Sequence, residues 1–202
     1  MKWSFNRKRD SSKIKTQVIN WEGPYALPKF EKLNGLPTLP ECCGVYLFTC
    51  DYLDSLVLYG IGITMRPFKE RIVEHRTNYF KGEYNVLDID ALKRGLRKEI
   101  WHGWQYASDH QEEYIDRKEE ISVATQILLQ HIKIFIAKTD NKRMQERIEG
   151  AIAHQLYVSK EPYSDIIDGG MHLKGRYNAE MPILINNVCG HKIYGLPEKI
   201  EI

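Results

Sequence analysis

Five side chains in this chain have the types and spacing for chemistry on an anion: Tyr46, Tyr59, Arg71, His75 and Glu149. Arginine offers a planar, permanently charged fork that matches phosphate or carboxylate oxygens. Histidine exchanges protons near neutral pH, and a carboxylate can hold a hard divalent cation. The two tyrosines sit in short apolar runs, Gly44-Val45-Tyr46-Leu47-Phe48 and Leu58-Tyr59-Gly60-Ile61-Gly62. Arg71 and His75 are four apart, one helical turn. Singly, each has a structural reading. A strand tyrosine usually packs in a core with its hydroxyl at the rim. Arg71 and His75 lie beside Glu70 and Glu74, and such neighbours commonly pair on a helix surface. Glu149 competes with Glu146, but borders an apolar stripe with Ile148 and Ile152.

The elements that must position these residues follow from the local pattern. Residues 44–50 and 56–62 are apolar and separated by Asp51-Tyr52-Leu53-Asp54-Ser55, which predicts an antiparallel hairpin. Thr64 as a cap, Pro67 in the first turn and the recurrence of Phe68, Ile72, Val73 and Tyr79 predict a helix that ends near Lys81-Gly82. Residues 112–130 read as a longer helix, and 132–138 alternate as a third strand. Thr139 or Asp140 then caps a helix to about Val158, with Met144, Ile148, Ile152 and Leu156 on its buried face. Residues 1–40 are broken by Gly23-Pro24, Pro28, Gly35, Pro37 and Pro40 and read as an irregular arm.

Composition sets the frame. A chain of 202 residues, 43% hydrophobic and 28% charged, suits one folded domain with an arm or insertion. The net charge of +2 does not announce a nucleic-acid binder, but the cations are grouped. Lys2, Arg7, Lys8, Arg9, Lys13 and Lys15 form one group. Arg66, Lys69, Arg71, Arg76 and Lys81 form a second, and Lys93, Arg94, Arg97 and Lys98 a third. Cys42, Cys43, Cys50 and Cys189 fit no zinc spacing and read as free thiols of a reduced, cytoplasmic protein. No run is long enough for a membrane span. His102, His110, His131, His154, His172 and His191 are scattered without ligand spacing. Trp101 and Trp104, near Arg97 and Lys98, are types that stack on bases; plugging an insertion against the core is the competing reading.

Taken together, Gly44-Val45-Tyr46, then Tyr59-Gly60-Ile61-Gly62-Ile63-Thr64, then Arg71-x-x-x-His75, then Glu149 in Glu-x-x-Ile, resemble in order and spacing the motifs of the GIY-YIG nucleases. The resemblance covers about residues 43–160. The second motif has one residue more than the family's Tyr-Ile-Gly. Either a bulge brings Tyr59 into place, or Gly60 takes the tyrosine position and the ring is displaced.

The resemblance implies an α/β fold: a small, mainly antiparallel three-stranded sheet flanked by helices. It also implies a division into a basic N-terminal arm (1–42), a nuclease core (43–162) with a helical insertion at about 83–130, and a C-terminal extension packed on the core (163–202). It implies a metal-dependent endonuclease that hydrolyses phosphodiester bonds in DNA, with RNA left open. Tyr46, Tyr59, Arg71, His75 and Glu149 would be catalytic, with Glu149 holding Mg2+ or Mn2+. Arg66, Lys69 and Arg76 would grip the backbone. Stand-alone members include restriction endonucleases, which makes that role the first expectation, with a homodimer if the target is symmetric. A structure-specific repair or recombination nuclease is the enzymatic alternative. A non-catalytic nucleic-acid-binding module that keeps the fold is the alternative of a different class.

Overall fold

A computed structural model describes residues 14–160, 162–168 and 173–202. The expected cations at positions 2–13, and His172, lie outside the described residues. In chain order the elements are β1 (Lys15–Tyr25), α1 (Glu31–Asn34), β2 (Gly44–Tyr52), β3 (Ser55–Thr64) and α2 (Phe68–Phe80). Then come β4 (Val86–Leu87), α3 (Ile89–Leu92), β5 (Glu99–Trp101), α4 (Trp104–Asp109), α5 (Gln111–Asp116) and α6 (Lys118–His131). The chain closes with β6 (Lys133–Lys138), α7 (Lys142–Tyr157), α8 (Tyr163–Ile166), β7 (Ile183–Cys189), β8 (Ile193–Tyr194) and β9 (Lys199–Glu201).

The small three-stranded sheet expected from the sequence is overturned. The main sheet is mixed, curled and seven-stranded, in the order β8-β3-β2-β6-β1-β7-β9. Its middle is the antiparallel set β3-β2-β6. The physical reason for the extension lies in β6, whose Ile134, Phe135, Ile136 and Ala137 are all buried. A strand apolar on both faces needs a layer on each side and a partner on each edge. β1 supplies the second edge, antiparallel to β6, and β7 pairs in parallel with β1 from Lys15 to Trp21. Residues 15–25, read as part of an irregular arm, are therefore an inner strand, and residues 183–201 complete the sheet rather than merely packing on it.

Two cores flank the sheet. Tyr46, Phe48, Cys50, Ile134 and Ile136 face one layer with Phe68 and Ile72 of α2 and Leu128 and Leu129 of α6. Val45, Leu47, Phe135 and Ala137 face the other with Ile148, Ile152 and Leu156 of α7. α2 starts after Pro67, and its first N–H donates to the Cys42 carbonyl at 2.8 Å. Thr64 is not its cap; the Thr64 hydroxyl accepts the Arg66 N–H in the preceding turn. Asn141, not Thr139 or Asp140, caps α7 through the Met144 N–H at 3.0 Å. The helix expected over 112–130 is broken at Arg117 into α5 and α6. No helix among the described residues is long and apolar enough to cross a membrane.

Candidate active site

The β2–β3 hairpin sets the geometry. Tyr46 stands opposite Gly62 and Phe48 opposite Gly60, but Thr49 stands opposite Leu58. Tyr59 is thus the extra residue of a bulge, which absorbs the surplus position in Tyr-Gly-Ile-Gly and keeps both glycines on the Tyr46 face. The Tyr46 ring lies directly over Gly62. A Cβ there would sit 2.3 Å from the phenol oxygen, so only glycine leaves room for this ring. Beyond Val57 the outer edge of β3 has no partner strand among the described residues.

Tyr46 is 2% exposed, edge-on to Phe68 and His75. Its hydroxyl lies 2.6 Å from Nε2 of His75. Burial pushes the phenol up to about 12, against the charge and hydrogen bonding of the Arg71 guanidinium. His75, packed between Phe48 and Tyr84, is pushed down to about 3 by burial and then by Arg71, with Glu74 opposing. The imidazole is therefore neutral at physiological pH and the phenol keeps its proton. In the tautomer with hydrogen on Nδ1, the Tyr46 O–H donates to Nε2.

Glu74 organises the cations. It takes Arg66 in a two-point contact at 2.5 and 2.7 Å and one nitrogen of Arg71 at 3.2 Å. Arg66 is thus committed to a neighbour, while Arg71 gives Glu74 one nitrogen and also acts on the Tyr46 phenol. Lys69 is exposed. Arg76 lies against the Phe80 ring, and its Nε is buried without a partner.

Glu149 comes from α7, on the far side of the sheet. Burial and the neighbouring Glu146 raise its carboxyl to about 7, against the pull of Arg71. Its charge also acts on Tyr46, so Glu149, Tyr46 and Arg71 share one electrostatic environment. Glu146 is occupied by Arg143 at 3.2 Å and Lys174 at 3.7 Å, whereas no hydrogen bond or ion pair engages Glu149 among the described residues. A half-buried carboxylate without a cationic partner is the donor a divalent ion would satisfy, with water and phosphate oxygens completing the shell. Among the described residues no group of three or more His, Cys, Asp and Glu could hold a metal ion; Glu149 would offer one carboxylate.

Tyr59 does not join this cluster. Its hydroxyl is buried and bonded to that of Tyr79 at 3.0 Å. Two contributors escaped the sequence reading. Glu74 was visible only as a surface pairing partner, and Tyr84, which packs on His75, gave no signal because its approach depends on the fold of residues 83–104. Comparison with protein-family models, curated proteins and solved structures found no match for this chain.

Proposed function

We propose that this chain is a metal-dependent endonuclease of the GIY-YIG type that hydrolyses phosphodiester bonds in DNA. The observation that carries the reading is the Tyr46–His75 hydrogen bond with the Arg71 guanidinium acting on the same phenol; the Glu149 carboxyl shares their electrostatic environment. Hydrolysis of a phosphodiester needs a base for water, a cation for the developing charge and help for the leaving oxygen. A divalent ion on Glu149, when bound, would polarise the phosphate and stabilise the leaving oxygen.

The chain's own groups account for the rest. The Tyr46 oxygen takes a proton from the attacking water as its own proton passes to Nε2 of His75, so the phenolate never accumulates. A phosphate seated on Arg71 cancels part of the charge that disfavours the imidazolium, so substrate itself raises the basicity of His75. Arg71 holds two phosphate oxygens and steadies the charge that grows on them.

The test is cleavage of supercoiled plasmid, linear DNA and a duplex carrying a single-stranded flap, with magnesium, with manganese and with chelator, beside Glu149→Ala. Metal-dependent cleavage lost in the variant, with binding retained, supports the proposal. Salt-sensitive binding without cleavage by the unsubstituted protein moves the reading to a non-catalytic module.

A further inference from the structure

A ladder of rings runs outward from the site. Tyr46 meets His75 at 5.6 Å between centroids, His75 meets Tyr84 at 5.5 Å, and Tyr84 meets Trp104 at 4.9 Å with 39° between planes. Tyr46 is buried, His75 and Tyr84 are half-buried, and Trp104 is 52% exposed. Its backbone is at φ 56°, in the left-handed region that a bulky residue rarely adopts. The surrounding chain holds this conformation in place. The Trp104 N–H donates to the Glu83 carbonyl at 2.8 Å, and the Gly103 N–H to Oδ1 of Asn85 at 2.7 Å. Gly103 is pressed so close to Tyr84 that a Cβ would lie 2.4 Å from its carbonyl carbon. The neighbouring Trp101, by contrast, is buried, with its indole N–H on the Gly82 carbonyl. Trp101 plugs the core; Trp104 is presented. Alongside it runs a cleft of about 380 Å³ that Trp104 lines with Lys81, Tyr114 and Ile115.

We infer that Trp104 is a stacking platform for an unpaired nucleobase next to the cleaved phosphodiester, which makes the substrate class branched or partly single-stranded nucleic acid. This rests on the nuclease reading above. Bases inside a duplex already have both faces covered, so a solvent-facing indole fixed by its neighbours gains only from a base with a free face. Strained backbone that survives because the surroundings hold it is a mark of functional placement.

The experiment measures binding of labelled oligonucleotides by fluorescence anisotropy in chelator, comparing a full duplex with the same duplex carrying a single-stranded flap. Unsubstituted protein should prefer the flap. Trp104→Ala should weaken flap binding on the order of 10- to 100-fold and leave duplex binding within about twofold, whereas Trp104→Phe should keep most of the preference. Flap binding unchanged in Trp104→Ala, or flap and duplex weakened alike while Trp104→Phe shows the same loss, overturns the inference. Either result with metal-dependent cleavage intact leaves the nuclease reading standing. Absence of both binding and cleavage in the unsubstituted protein removes that reading and this inference with it.

Discussion

The Tyr46 hydroxyl and Nε2 of His75 stand 2.6 Å apart, across 29 residues of sequence and two different elements. Neither group is a useful catalyst alone: burial makes the phenol a weaker acid and the imidazole a weaker base. Joined, in the proposed reaction, they form a path along which a proton passes from water through the Tyr46 oxygen to His75, so that no phenolate accumulates. The hydroxyl can occupy this place because the strand beside it carries Gly62.

Tyr46→Phe deletes the relay and little else, since the ring keeps its packing. Its kcat should fall by about 10²- to 10⁴-fold, the usual worth of general acid–base assistance, with DNA binding nearly unchanged. Tyr59→Phe should do the reverse. It strands the Tyr79 hydroxyl in the core and should cost about 1–3 kcal/mol in urea unfolding while cleavage persists. Loss of activity in a folded Tyr59→Phe protein would return Tyr59 to the catalytic set.

The parts legible in the sequence are those fixed by local pattern. α2 and α7 bury residues at helical spacing, and β2, β3 and β6 are short apolar runs, so local pattern exposes them. β1 does not. Of its residues only Trp21 is fully buried, Val18 faces solvent, and Gly23-Pro24 interrupts its end. Its place comes from backbone bonds to β6 and to β7, which are distant in sequence and leave no local trace. The same limit applied at the site. Motif order singles out Tyr46, Arg71, His75 and Glu149 as candidates, but the bulge at Tyr59, and Tyr84 behind His75, depend on register and on a fold with no local periodicity.

The two hairpin glycines separate fit from chemistry. At Gly62 a Cβ would collide with the Tyr46 ring, whereas at Gly60 it would only touch Phe48 at 3.4 Å. Gly62→Ala should displace the ring, break the bond to His75, cost about 1–3 kcal/mol and abolish cleavage. Gly60→Ala should be neutral or should stabilise by up to about 1 kcal/mol through the unfolded chain. Equal behaviour of the two variants in unfolding and cleavage assays would refute the proposed role of Gly62.

His75 also gives acid sensitivity a sign. In the unfolded chain its pKa is about 6.5, and in the fold about 3, so the unfolded state binds the extra proton between these values. The stability associated with the neutral imidazole is complete above about pH 6.5 and is lost as pH falls toward 3. Arg71 reinforces the depression, Glu74 opposes it, and Tyr46 and Tyr84 enclose the ring. Unfolding midpoints of the unsubstituted protein and His75→Gln, followed from pH 7.5 to 4.5, should converge on acidification by about 2 kcal/mol. Parallel curves would show that His75 does not titrate in this way.

Glu149 should show the opposite trade, between stability and function. Glu149 has no ion pair among the described residues, and the pull of Arg71 only partly offsets its burial, so the carboxylate destabilises the metal-free fold once ionised. Its folded pKa, about 7, lies above the unfolded value, so this cost is absent below about pH 4.5 and complete above about pH 7. Glu149→Gln keeps the shape and removes the charge. In chelator at pH 8 the variant should be more stable by about 1–3 kcal/mol, and the gain should vanish near pH 4.5. Magnesium should then stabilise the unsubstituted protein but not the variant, since an ion that binds only the folded state adds to its stability. Cleavage should be lost in the same variant. A variant that is less stable than its parent at pH 8, or that keeps the magnesium-dependent shift, would mean that the carboxylate already has its partner in the protein and is no metal ligand.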